Sequence, residues 1–207
     1  MDNKILIDFL READIIMNEN KNYLIDLDSV VGDGDLGLTM GDGFKAAYEA
    51  VKEGTEPDAG KLLYTAGKAM STAVPSTMGT LMASGLMQAG KNLKGKTELT
   101  AEDVAAVFQG YLDGVMNRGK AKPGEKTFLD GLLPAVEALR SSVENGENLK
   151  EAAGKAAAAA ERGFEHTTTM VAVHGRAATR GEASRSLKDP GAAVAMLLMR
   201  AFEKAQA

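Results

Sequence analysis

Apolar residues recur every three to four positions in segment after segment of this chain, and no run of β-branched residues is long enough to build a sheet. Ile5, Leu6, Phe9, Leu10, Ala13, Ile16 and Met17 form the first such stripe, which aligns along one face of a helix. Abundant alanine and methionine, with five prolines and 5% aromatic residues, add helix-favouring propensity. The pattern predicts an all-α fold.

A second helix is expected to open near Leu38 and run toward Lys52, and a third to cover about Asp58 to Thr72. Val74-Pro75-Ser76-Thr77-Met78-Gly79 breaks the pattern before a small, apolar helix continues to Lys91. Thr100-Ala101-Glu102-Asp103 has the form of a capping box ahead of Val104, Val107, Phe108, Tyr111 and Val115. After the basic turn Gly119-Lys120-Ala121-Lys122-Pro123-Gly124, Thr127 leads into Phe128, Leu129, Leu132, Leu133, Val136 and Leu139. Pro134 lies inside that stripe, where a missing backbone donor is expected to kink the helix. An alanine-rich helix from Leu149 to about Phe164 and a last one from Gly191 to Lys204 complete the series. About eight helices joined by short connections favour antiparallel neighbours. In such an up-and-down bundle, loops after alternate helices gather at one end, so the glycine-bearing loops could share one site.

The chain has 207 residues, and no repeat, charge block or Ser/Pro linker divides it, so a single domain over 1–207 is expected. The absence of cysteine removes disulfides, thiolate metal sites and cysteine nucleophiles, and suits a reducing cytosol. The start Met1-Asp2-Asn3-Lys4-Ile5 does not read as a signal peptide, and no apolar run approaches the roughly 20 residues needed to span a bilayer. The expected location is cytoplasmic. A net charge of −5 disfavours nucleic acid and anionic membrane as partners. A small anionic ligand remains admissible where local cations or a metal offset that charge.

Asp28-Ser29-Val30-Val31-Gly32-Asp33-Gly34-Asp35 brings three carboxylates within eight residues, interleaved with glycine. Hard cations such as magnesium take carboxylate oxygens and complete their shell with phosphate and water. Glycine lets backbone approach a phosphate, and a helix opening near Leu38 would aim free N–H groups at it. The opposing reading is a solvated acidic turn that merely caps a helix, and on spacing alone the two balance. The oxygen-bearing positions do not alternate as in an EF-hand, and no Walker loop is present. Downstream, His174-Gly175-Arg176-Ala177-Ala178-Thr179-Arg180-Gly181-Glu182 precedes Asp189-Pro190-Gly191-Ala192. Taken alone, Arg176 and Arg180 read as surface cations, and Asp189-Pro190-Gly191 as a turn before a helix. His166 and His174, the two histidines, read as solvent-side or supporting groups rather than catalysts.

Together these segments resemble the nucleotide-binding L subunit of dihydroxyacetone kinases, the DAK2-type domain. The likeness rests on Leu27-Asp28 through Gly37 and Met40, on Gly119 through Thr127, and on Gly175-Arg176-Ala177 with Asp189-Pro190-Gly191-Ala192, in register over nearly the whole chain. The resemblance implies an antiparallel barrel of eight helices that binds Mg–ADP or Mg–ATP at one end. It implies that Asp28, Asp33 and Asp35 ligate two magnesium ions. Leu36, Gly37, Leu38 and Thr39 would line the phosphates and ribose, and Ser76, Thr77, Met78 and Gly79 would meet the β-phosphate. Gly119 and Phe128 would lie near the adenine, Arg176 would face the transferring phosphoryl group as the catalytic residue, and Asp189, Pro190 and Gly191 would close the pocket. Phosphoryl transfer needs charge neutralisation and positioning more than a covalent nucleophile, which suits this residue set.

The same resemblance implies a separate K-type subunit that holds the sugar and, in phosphotransferase-linked systems, an M-type phosphocarrier that rephosphorylates the bound ADP. A homodimer is left open. Leu36 stands where the family usually has histidine, Thr39 where it has asparagine, and Pro75-Ser76-Thr77-Met78-Gly79 where it has a Gly-Gly-Ala-Ser-Gly loop. Proline removes a donor and methionine adds bulk at that loop, although Ser76 and Thr77 offer hydroxyls. These departures leave the carboxylates intact and suggest a paralogue serving another ketose or polyol. A nucleotide-loaded regulatory subunit without turnover is the competing reading.

Overall fold

The computed structural model describes all 207 residues, Met1–Ala207. It contains helices and no strand: α1 (Lys4–Glu19), α2 (Lys21–Val31), α3 (Leu36–Glu49), α4 (Ala59–Ala73), α5 (Thr77–Asn92), α6 (Ala101–Gly119), α7 (Phe128–Glu144), α8 (Leu149–His166) and α9 (Pro190–Ala205). Two short 3₁₀ segments, Thr167–Thr169 and Arg176–Ser184, lie between α8 and α9.

Eight helices form a closed ring. Each of α1 and α3 to α9 packs on its successor, and α9 returns against α1. All eight expected helices are therefore present. The ninth, α2, follows α1 after Asn20 and packs mainly on α3. Its apolar stripe is short, Leu24, Leu27 and Val31, and Leu24 alone is fully buried. Its presence corrects the expectation of a loop at Asp28, which instead sits in the last turn of α2. α3 correspondingly starts at Leu36, two residues before the expected point.

One contiguous cluster of 54 buried residues holds the ring together. Phe9, Phe108 and Phe202 meet at its centre, with ring centroids 4.6 to 6.1 Å apart. α9 is apolar on nearly every side because it touches α1, α2, α7 and α8. The alanine face of α8 allows close approach to α7 and α9. α7 continues through Pro134, and Gly163 of α8 packs against the Pro134 ring and the Asp130 carbonyl, where no side chain would fit. No helix is long and apolar enough to cross a membrane.

Because the ring alternates in direction, α3, α5, α7 and α9 all begin at the same end. The connections Gly32–Asp35, Val74–Ser76, Lys120–Thr127 and Thr167–Asp189 gather there. Tertiary packing has thus assembled the glycine-bearing loops that the alternation argument expected to meet.

Candidate functional site

Two adjoining cavities of about 710 and 450 Å³ occupy this end and share Ser76, Thr77, Met78, His174, Gly175, Asp189 and Gly191 in their walls. They form one cleft with two unlike halves. The smaller half is lined by Asp28, Asp33, Asp35, Leu36 and Arg176. The larger is lined by Leu81, Val115, Gly119, Phe128 and Leu129. The cleft is therefore acidic and cationic at one end, and at the other it carries an apolar patch bordered by Arg118 and Lys126.

One oxygen from each of Asp28, Asp33 and Asp35 lies within 4.8 Å of the others. Burial first, and then repulsion from Asp33 and Asp28, raises the Asp35 carboxyl above its ordinary range, while Arg176 lowers it. Three carboxylates against the single guanidinium of Arg176 leave the cluster net negative, and its all-oxygen donor set fits a hard divalent cation. Asp28 also does what the opposing reading assigned to it. Its Oδ2 accepts from the backbone N–H groups of Gly34 at 2.9 Å, Asp35 at 3.1 Å and Leu36 at 3.4 Å, which caps α3. Gly32 is required beside it, since a Cβ there would collide with Asp28 Oδ1. Asp28 can thus hold α3 through one oxygen and offer the other to a cation.

Four helix N-termini face the cleft, but they are not equivalent. Three have a carboxylate beside them: Asp28 accepts from Leu36 N–H at 3.4 Å at the start of α3, Asp130 accepts from Thr127 and Gly124 N–H just ahead of α7, and Asp189 Oδ2 accepts from Ala192 N–H at 2.7 Å in α9. The start of α5 has a neutral cap, with Ser76 Oγ accepting from Gly79 N–H at 3.0 Å. The N–H groups of Thr77 and Met78 in that first turn remain for an incoming anion. Asp189 is buried, and desolvation raises its carboxyl to about 7 against the opposing hydrogen bond from Ala192.

The α8–α9 connection closes the cleft. Arg176 Nη2 lies 2.7 Å from Asp33 Oδ2, and Arg180 donates to the Val30 carbonyl at the end of α2. His174 pairs with Glu125 of the α6–α7 connection, and Val173 N–H donates to the Glu125 carbonyl at 3.3 Å. Of the residues singled out from sequence, Asp28, Asp33, Asp35, Leu36, Ser76, Thr77, Met78, Gly119, Phe128, Arg176, Asp189, Pro190 and Gly191 all line the cleft. Gly37, Leu38, Thr39 and Gly79 do not. Gly37 and Gly79 are small because α2 and the Val74 carbonyl crowd them, Thr39 is buried, and Leu38 is exposed outside the cavities. Sequence reasoning missed Glu125, Lys126 and Asp130, because their roles depend on partners far along the chain.

A still larger cavity, about 830 Å³, lies between α4, α5 and α6 on the flank. It holds none of the three aspartates nor Arg176, so size does not identify the chemistry here.

Ring topology, carboxylate triad and a neutrally capped α5 N-terminus define a helical protein equipped to hold a cation together with an anion. A match to the DAK2 domain covers residues 30–204, and the chain belongs to that family. It is 34% identical to the ADP-binding subunit DhaL of the PEP-dependent dihydroxyacetone kinase of Escherichia coli K12, over 94% of this chain and 93% of that one. It is 30% identical to the corresponding subunit of dihydroxyacetone kinase 2 of Listeria innocua, over 96% and 93%. An L-erythrulose kinase of Pectobacterium atrosepticum is 34% identical over 91% of this chain but only 32% of its own length. The fold matches the dihydroxyacetone kinase of C. freundii in its native form (TM-score 0.74, 22% identity, 96% of this chain). It also matches that kinase in complex with AMP-PNP and Mg²⁺ (TM-score 0.73, 21% identity, 99% of this chain). The chain spans about a third, 34%, of the length of those solved structures.

Proposed function

We propose that this chain is the nucleotide-binding subunit of a dihydroxyacetone-type kinase, a phosphotransferase that works as a single DAK2-type unit beside a separate sugar-binding subunit. The observation that carries this reading is the union, in one cleft, of the carboxylate triad, the start of α5 with its neutral Ser76 cap and an apolar patch at the far end. Relatives of nearly the same length are named ADP-binding subunits, which supports it.

In this reading Asp28, Asp33 and Asp35 hold magnesium, two ions in all, which neutralises charge on ADP or ATP phosphates. Thr77 and Met78 donate backbone N–H groups to phosphate, with the Ser76 and Thr77 hydroxyls beside them. Phe128, Leu81 and Gly119 accept the base in the apolar half. Arg176 leaves Asp33 to stabilise the phosphoryl group as it transfers. Asp189, Pro190 and Gly191 close the wall between the halves. No protein nucleophile is needed, and His174 serves the loop through Glu125.

The substrate is carried by a K-type partner, and a phosphocarrier of the M type restores the nucleotide in the cytoplasm. Relatives that act on L-erythrulose share this domain, so the partner rather than this chain selects the sugar. Isothermal titration tests the reading: ADP should bind with magnesium and not without it. No binding with magnesium present would sink it. A transfer assay with purified partner subunits then separates a working kinase subunit from one that only holds nucleotide.

A further inference from the structure

Lys126 is the one cation among the buried residues, 3% exposed, and the nucleotide chemistry above does not use it. Its backbone is left-handed, with φ 62°, which disfavours a lysine unless the surroundings hold it there. The side chain turns inward, and its ammonium donates to main-chain carbonyls alone. These belong to Thr167 at 2.7 Å, Met170 at 3.3 Å, Ser184 at 2.7 Å, Arg185 at 3.0 Å and Leu187. Three donors shared among five acceptors make a cage around one positive charge.

The acceptors fall into two sets. Thr167 and Met170 lie where the chain leaves α8, and Ser184, Arg185 and Leu187 lie where it returns to α9. Met170, Arg185 and Leu187 lie just beyond the two 3₁₀ segments, where their carbonyls accept no backbone N–H, whereas the carbonyls of Thr167 and Ser184 also accept from Met170 and Leu187. Between the two sets lies 171–183, with His174, Arg176 and Arg180 exposed upon it. Ala172 N–H to Ser184 Oγ at 2.9 Å, Arg185 Nη1 to the Thr169 carbonyl at 2.6 Å and Asp189 N–H to Thr167 Oγ1 at 3.2 Å close the same neck. Lys126 joins this neck to the α6–α7 turn beneath, and Glu125 of the same turn holds the loop further out through His174 and Val173 N–H.

We propose that Lys126 is a positioning residue for the transfer step. Its ammonium cinches the neck of the Thr167–Leu187 excursion, so that Arg176 stands over the acidic triad and Asp189 heads α9 before nucleotide arrives. A free excursion of this length would lose its conformational freedom at the moment of binding, and the caged lysine removes that cost beforehand. The catalytic consequence rests on the nucleotide reading above. The closure of the neck does not.

Lys126→Met keeps the aliphatic stem and removes every donor. In the folded variant, amides of residues 170–188 should exchange at least about tenfold faster, while those of α1 and α6 keep their protection. Mg–ADP should bind at least about tenfold more weakly. Unchanged protection of 170–188, or protection lost evenly over all helices of a folded variant, would overturn the proposal. Should Lys126→Met not fold, the wild-type protein decides. Its Lys126 ammonium should give a slowly exchanging ¹⁵N signal, and fast exchange with water there overturns the proposal. Wild-type protein that fails to bind Mg–ADP would remove the nucleotide reading and leave the exchange comparison standing.

Discussion

Arg176 and Asp33, separated by 143 positions in the chain, are joined by an ion pair of 2.7 Å across the mouth of the cleft. Both side chains are largely exposed, at 65% and 46%, so the pair contributes little to stability. Its meaning is electrostatic. The guanidinium supplies the acidic triad with positive charge that a bound cation would replace, and replacement frees the arginine for phosphate.

Arg176→Ala should therefore separate two quantities. With its competing cation gone, the nucleotide-free protein should bind Mg²⁺ more tightly, by up to about fivefold for an exposed pair worth at most about 1 kcal/mol. Phosphoryl transfer should fall by at least about a hundredfold. Calorimetry with Mg²⁺ and a purified-component transfer assay measure the two, and a parallel loss in both would contradict the assigned role.

Asp28 has one oxygen engaged in hydrogen bonds, and in the proposed reading the other is offered to magnesium; two substitutions resolve them. Asp28→Asn keeps an acceptor for the N–H groups of Gly34, Asp35 and Leu36, whereas Asp28→Ala removes it. The alanine variant should lose about 1–2 kcal/mol in urea unfolding, as for other lost caps, and the asparagine variant less than half of that. Both should weaken Mg-dependent ADP binding at least about tenfold, and Asp33→Ala, which caps nothing, should abolish it at little cost in stability.

Asp189 gives the free protein a pH dependence. Its carboxyl is raised from 3.8 to about 7, so the folded chain retains a proton that the unfolded chain releases. The resulting stabilisation is complete below about pH 4 and is lost as pH rises through about 7. Between pH 5 and 7 the unfolding free energy should fall by about 2 kcal/mol from this group. Asp189→Asn, isosteric and still able to cap α9, should flatten that slope. Urea midpoints measured across the range would show the slope or its absence.

Packing around Tyr111 predicts a purely structural lesion. A Cβ at Gly85 would lie 2.5 Å from the Tyr111 ring, which is fully buried with its hydroxyl donating to Met82 Sδ at 3.3 Å. Gly85→Ala should cost about 1–3 kcal/mol by overpacking and lower Tm accordingly. Mg–ADP affinity of the folded fraction should stay within about twofold, since Gly85 lies outside the cleft.

The eight ring helices were legible because each carries its own apolar stripe, and a stripe is a local property of the chain. α2 was not, because a short helix docked on the outside of the ring has one buried residue, and its brief stripe of Leu24, Leu27 and Val31 runs directly into the acidic glycine-bearing segment. The carboxylates at 28, 33 and 35 were visible as a cluster, and the structure keeps them one while giving Asp28 the capping work that the plainer reading proposed. Other site residues had no local signal. Lys126 looks like one more lysine just after a basic turn, and only the return of the chain 41 to 61 residues later supplies its five carbonyls. Gly37 and Gly79 look like phosphate-loop glycines, yet neighbouring backbone makes them small. Sequence by itself determined the eight ring helices, their alternation and the cluster of negative charge, because periodicity, turn chemistry and adjacency act over a few residues. Tertiary structure decided which N-terminus stays open, which arginine meets which aspartate and what a buried ammonium holds, because those contacts join segments that are remote along the chain and close only once the ring has shut.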